Sequence, residues 1–277
     1  MAAISTRPVG EHIGAEVLGV DVERLLADDD LPGAVMDALE AHSVLVFRGL
    51  DRIDDATQVA FGQRLGPLVR FRMFPAQPFV TVISHDPGNP NAQLYKSNDF
   101  WHLDGALDEI PAKASIMTGR VLAAEGGDTE FASTYLAYEE LSDREKELAA
   151  QLRVVHTMEA IQLLSYPDPT TDQQALWDSR PARLHPLVWT HHSGRKSLVV
   201  GATVDHVEGL AYRRGITLIR ELQERATAPG KVLRHVWKPG DLVIWDNRGL
   251  IHRAAELDKS QPRVMHRCTL LGDEPIR

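Results

Sequence analysis

Cysteine is nearly absent. Cys268 stands alone among 277 residues, so no disulfide can close within the chain and no cluster of thiolates can hold zinc. Stability must come from a buried core, any metal must be held by His and carboxylate, and a reducing cytoplasm is the expected setting. Long apolar runs are missing as well: no segment approaches the roughly 18 uninterrupted apolar residues of a membrane helix. The opening MAAISTRPVGEHIGAEV has no apolar stretch behind a basic one, so export is not expected. Positive charge is in deficit, with 30 Lys and Arg against 39 Asp and Glu for a formal charge of −9. That balance argues against a nucleic-acid backbone or an anionic membrane surface as partner and favours a small soluble one. Repeats, low-complexity tracts and linker-like breaks are also lacking, which predicts a single elaborated domain over residues 1–277.

The composition that remains, 43% hydrophobic and 25% charged, is that of an ordinary globular chain. Residues 31–42 carry Leu31, Val35 and Leu39 on one stripe and read as a helix, as do residues 55–65, which stop at Gly66. Between them, SVLVF at 43–47 reads as a buried strand. From Phe79 onward short β-like runs alternate with turn signals: FVTVIS, ASIMTG, TEFAST, RVVHTM, LVWTHH, KSLVVG, KVLRHVW, DLVIWDN and RVMHRCTLL. The pattern predicts a mainly β fold with flanking helices, as a sandwich or barrel. Ser193-Gly194 and Lys238-Pro239-Gly240-Asp241 are turn sequences. Ser142 and Glu145 form a capping-box signature, and residues 209–226 have helical periodicity. The stretch 161–183, with three prolines and weak periodicity, reads as a long loop able to act as a lid.

Trp101-His102-Leu103-Asp104 sets a nitrogen ligand and a carboxylate two residues apart, which on a strand face the same side. Alone, such a tripeptide is a weak signal that surface hydrogen bonding also explains. A further histidine, His252, follows a strong strand 148 residues later (252 − 104). Two His and one carboxylate on one face of an ion leave positions open for O2 and substrate, the arrangement of non-haem Fe(II) oxygenases, whereas a closed zinc site wants a fourth ligand. His185, His191 and His192 form a rival cluster, read as hydrogen-bonded strand and loop residues. Arg263, eleven residues after His252 (263 − 252), is expected on a strand beside the last ligand, where its fork suits a carboxylate. Arg267 lies on the same side by parity.

These residues resemble the TauD/TfdA family of Fe(II)/2-oxoglutarate-dependent dioxygenases, which includes taurine and aryloxyalkanoate dioxygenases. The likeness runs through GAEVLGVDV, SVLVFRGL, FGQRLGPL, WHLD, GGDTEF, LHPLVWTH with SGRKSL, WDNRGLIHR and PRVMHRCTLLGDEP, in order along nearly the whole chain. The resemblance implies a double-stranded β-helix, or jelly-roll, core. It also implies Fe(II) held by His102, Asp104 and His252, with 2-oxoglutarate and O2 as cosubstrates. Thr129 and Arg263 match the residues that bind the distal carboxylate of 2-oxoglutarate, and Arg267 matches an arginine that holds the substrate's anionic group. GGDTEF and GATVDHVEGL are similar to the aryloxyalkanoate members, WDNR and PRVMHRCTLLGD to the taurine members.

One departure concerns the substrate. Taurine-specific members carry a His within the segment matching LGPLVRFRMFP, and here that position is Phe71, between Arg70 and Arg72. This disfavours taurine itself and favours a larger, partly apolar anion such as an aryloxyalkanoate-like carboxylate, with an alkyl sulfonate or sulfate ester as the alternative. Tyr95, Lys96 and Asn98 are lining positions by their place just before the metal motif, or else a solvated polar loop. A zinc hydrolase or a non-catalytic jelly-roll protein would leave Thr129 and Arg263 without a role. A homo-oligomer, dimer or tetramer, is expected.

Overall fold

The computed structural model describes residues 4–51, 53–71, 77–86, 88–89 and 91–277. The chain runs β1 (Ser5–Pro8), β2 (Ala15–Leu18), α1 (Val22–Ala27), α2 (Leu31–His42), β3 (Val44–Phe47), α3 (Asp55–Leu65), β4 (Thr81–Ser84), a 3-10 turn (Leu94–Asp99), β5 (Ala114–Val121) and β6 (Thr129–Ser133). It continues with α4 (Thr134–Glu139), α5 (Asp143–Ala149), β7 (Arg153–His156), α6 (Met158–Gln162), α7 (Thr171–Asp178), β8 (Arg183–Pro186), β9 (Val188–Thr190) and β10 (Lys196–Leu198). It ends with β11 (Val204–Val207), α8 (Tyr212–Ala226), β12 (Val232–His235), β13 (Leu242–Asp246), β14 (Leu250–Ala254) and β15 (Val264–Leu270).

Seven strands form one sheet in the order β1-β2-β3-β13-β5-β15-β4, and β12-β6-β14 form a second. The period-2 geometry of a strand divides each sequence between two cores. Leu45 and Phe47 of β3, Ile116 of β5, Ile244 of β13 and Cys268 of β15 point to one side of the large sheet, where Leu25, Leu39 and Phe61 of the N-terminal helices cover them. Their neighbours Val46, Met117, Val243, Trp245 and Met265 point to the other side and meet Phe131, Leu233 and Leu250 of the second sheet. The site lies in this inter-sheet space. Its architecture is the mostly β jelly roll with flanking helices that the strand pattern and the resemblance imply.

The local predictions for α2, α3 and α5 hold for local reasons. The Asp54 carboxylate accepts from the Thr57 N–H at 2.8 Å to start α3, and the Ser142 and Glu145 capping box starts α5. Three expectations need correction. The stretch 161–183 is no loop: it holds the end of α6 and all of α7, each started by a threonine cap, with Gln173 completing a capping box on Thr170. Pro167, Pro169 and Pro181 lie outside both helices, and two turns are too short to develop visible periodicity. Trp101–Asp104 is no strand either: His102 makes a single antiparallel bridge with His252, and Asp104 sits in the turn beyond. Finally, β15 is not the neighbour of β14. It lies in the large sheet between β5 and β4, so Arg263 and Arg267 reach His252 across the sandwich.

Candidate active site

Two backbone hydrogen bonds, His102 N–H to the His252 carbonyl and the reverse, each 3.0 Å, set the two imidazoles side by side with ring centres 4.3 Å apart. Asp104 completes the group. Its Oδ1 is 3.8 Å from His102 Nε2 and its Oδ2 is 3.8 Å from His252 Nε2. Among the described residues it is the one cluster of three His, Cys, Asp or Glu side chains close enough to share an ion. His102 Nδ1 donates to the Phe100 carbonyl at 2.8 Å, which leaves the Nε2 lone pair free to ligate. Burial first, then the nearby His102, push His252 down to about 3, so its ring is neutral at physiological pH. Burial alone would raise the Asp104 carboxyl, but the Arg267 guanidinium beside it holds it well below the usual range, ionised. Two imidazole nitrogens and one carboxylate with no thiolate suit Fe(II) or Mn(II) with open positions. The rival histidines do not share a site: His185 bonds the Ala106 carbonyl, whereas His191 bonds Ser197 and Glu274, and the exposed His192 ring approaches the same Glu274 at 3.6 Å.

Two cavities meet at this group. The smaller, ≈ 30 Å³, is walled by Thr129, Met117, Trp245, His252 and Arg263, and the larger, ≈ 280 Å³, by Tyr95, Asp104, Met158, Ile161, Arg180 and Thr203. Asn98, His102 and Arg267 line both. In the small cavity Arg263 Nε donates to the Gly127 carbonyl at 3.0 Å, and its terminal nitrogens have no hydrogen-bond partner among the described residues. Burial pulls this guanidinium down to about 10, against Asp128 and Asp99, so it remains a cation in need of an anion. Thr129 Oγ1 accepts from Trp237 Nε1 at 3.0 Å, which leaves its own proton to donate. Both residues line the small cavity, so a hydroxyl and a guanidinium are available there as donors to an anion.

A model of the Taurine catabolism dioxygenase TauD, TfdA family matches residues 5–269. The chain belongs to that family. It is 34% identical over 285 aligned positions, covering 99% of this chain and 91% of the relative, to an alpha-ketoglutarate-dependent sulfate ester dioxygenase of Pseudomonas putida. It is 33% identical over 254 positions, covering 86% and 84%, to an alpha-ketoglutarate-dependent 2,4-dichlorophenoxyacetate dioxygenase of a Burkholderia species. Among solved structures, AAD-2 in complex with Mn(II) and N-oxalylglycine superimposes with a TM-score of 0.84 at 32% identity, covering 100% of both chains.

Not every residue singled out in the sequence of this dioxygenase reaches the site. Phe71 is half-buried, its N–H donates to the Pro78 carbonyl at 2.6 Å, and it is not among the residues lining either cavity. Arg72 lies outside the described residues. The Lys96 ammonium stands 4.9 Å over the Tyr166 ring. Tyr95 and Asn98 do line the large cavity, and burial raises the Tyr95 hydroxyl. Arg267 is less free than its place in the motif implied, since its Nη1 donates to Asp104 Oδ2 at 2.8 Å. Met158 and Thr203 of the cavity wall were missed, while Ile161 and Arg180 fall within 161–183, the stretch read as a lid, though neither was named singly.

Proposed function

We propose that His102, Asp104 and His252 hold one Fe(II), that Thr129 and Arg263 bind the distal carboxylate of 2-oxoglutarate, and that Arg267, with Asn98 and Tyr95, faces a small anionic organic substrate. The observation that carries this reading is the meeting of the triad with a cavity that ends in Arg263, a half-buried cation without a carboxylate partner among the described residues. When bound, the iron supplies the place where 2-oxoglutarate and O2 react, giving succinate, CO2 and a hydroxylated substrate. The chain's own residues position the reactants. Arg263 offers a fork of parallel donors and Thr129 a hydroxyl proton, so the keto acid enters with its distal end fixed and its other end toward the triad. Arg267 borders both cavities and can hold the substrate's anion close to the metal ligands.

The larger cavity has a mixed lining, in which Leu94, Leu103, Leu107, Met158 and Ile161 stand beside Ser97, Asn98, Asp108 and Gln162; the apolar members support an aryloxyalkanoate-like carboxylate, with its ring against them and its acid on Arg267. Hydroxylation beside an ether oxygen gives a product that falls apart. Phe71, away from the wall, lends this preference no support. A sulfate ester or alkyl sulfonate is the second reading, favoured by the Pseudomonas putida relative and by Arg180, a second cation on the same wall. The deciding experiment measures succinate with Fe(II), ascorbate and 2-oxoglutarate against aryloxyalkanoates, alkyl sulfonates, sulfate esters and N-substituted amino acids. Succinate formation dependent on one class is the expected result. Absence of succinate with every class, together with hydrolysis supported by Zn(II), overturns the proposal in favour of a zinc hydrolase.

A further inference from the structure

We infer that Asn247 and Ser115 are positioning residues that keep Asp104 to a single metal-facing oxygen, an inference that rests on the metal reading above. Asn247 Nδ2 donates to Ser115 Oγ at 3.1 Å, and Ser115 Oγ donates to Asp104 Oδ2 at 3.2 Å. Both residues are fully buried, at 1% and 0% exposure. A serine hydroxyl has one proton, so a hydroxyl that accepts from an amide turns its proton toward the carboxylate, and the direction of the relay is set. The opposite amide orientation would draw the serine proton to Asn247 and deprive the carboxylate of a donor.

The two oxygens of Asp104 are thereby made unequal. Oδ2 accepts from Ser115 and from Arg267 Nη1 at 2.8 Å, whereas Oδ1 accepts no hydrogen bond from any described residue. A carboxylate can grip a cation through one oxygen or both; Oδ1 and Oδ2 each stand 3.8 Å from a ligand imidazole Nε2, so it is the donors on Oδ2, not distance, that favour Oδ1 as the ligand. The difference matters because the keto acid and O2 would need positions on the ion that the three protein ligands leave open. A second Asp104 oxygen would close one that the keto acid and O2 need. When an anionic substrate recruits Arg267, Ser115 is the donor that stays on Oδ2.

Asn247 is itself well anchored. Its N–H donates to the Lys113 carbonyl at 3.0 Å, just before β5. On one side of it, Asp246 takes donors from Arg248 Nε at 2.8 Å and the Tyr135 hydroxyl at 3.2 Å. The turn after β13 therefore carries Asn247 as the support for Asp104 and leads into β14, whose His252 would be the neighbouring ligand.

The test uses Co(II) as the metal probe in the whole protein without O2, reading the visible d–d spectrum and then the 2-oxoglutarate Kd. Ser115→Ala should still bind Co(II), with a spectrum shifted toward higher coordination before the keto acid is added and a 2-oxoglutarate Kd raised about tenfold. Asn247→Ala should change both in the same direction, and Ser115→Thr, which keeps the hydroxyl, should match the parent. If Ser115→Ala leaves spectrum and Kd unchanged, or Ser115→Thr is impaired equally, the inference is wrong and the residues only fill space. Should Ser115→Ala fail to fold, Asn247→Ala, which retains the serine, gives the same two readings. Failure of the parent protein to bind one Co(II) would instead remove the metal reading itself.

Discussion

Arg263 and Gly127 are fitted to each other: the guanidinium Nε donates to the Gly127 carbonyl at 3.0 Å, and a Cβ on that glycine would stand 2.9 Å from Arg263 Cδ and Nε, at a φ of +70°. The glycine thus aims the arginine and leaves it room. Arg263→Ala should raise the KM for 2-oxoglutarate about a hundredfold, corresponding to roughly 3 kcal/mol for a lost charge-assisted contact. Gly127→Ala should raise it about tenfold through strain and displacement. Neither should alter the primary substrate's KM at saturating keto acid, and initial-rate kinetics varying each reactant separately will check the separation.

Arg267→Ala should chiefly affect the primary substrate. Its loss removes the cation shared by the two cavities, so kcat/KM for the anion should fall by about a hundredfold while the 2-oxoglutarate KM moves little. A fall confined to the keto acid would mean that the two arginines have exchanged roles.

His102→Ala and Asp104→Ala should each reduce succinate to background, and metal analysis of the purified variants should find the bound iron lost. Stripping the parent with a chelator should abolish turnover, with recovery on adding Fe(II) and none on adding Zn(II), because redox-inert zinc cannot take part in O2 chemistry.

His156 predicts how stability depends on pH. Burial first, then the charge of His185, push it down to about 3 from an ordinary 6.5, and Nδ1 bonds Thr203 Oγ1 at 2.8 Å. The unfolded chain takes up this proton near 6.5 and the folded one does not until about 3. As pH falls through that window the unfolded state gains relative stability, by up to about 1.4 kcal/mol per pH unit from this residue alone. Urea unfolding of the parent and of His156→Asn at several pH values should give a shallower acid loss in the variant. Parallel slopes would exclude His156 as the cause.

Much of this was legible along the chain because its physics is local. The caps at Asp54 and Ser142 and the strand parity that sends Leu45 and Val46 to opposite cores depend only on neighbouring residues. The same parity put Arg263 and Arg267 on one side, though it could not place that side across the sandwich. The helices α6 and α7 were hidden because each is too short for periodicity, and prolines beside them imitated a loop.

Sequence by itself determined which donors exist: His102 and Asp104 two apart, His252 after a strand, an arginine pair, a threonine behind two glycines, and no competing thiolate. Tertiary structure decided what those donors face. The bridge between His102 and His252, the bond from Arg267 to Asp104, the relay through Ser115 and Asn247, and the withdrawal of Phe71 from the cavity wall all arise from contacts between distant segments. Such contacts depend on which strands pair and in what register, and no local propensity encodes that choice.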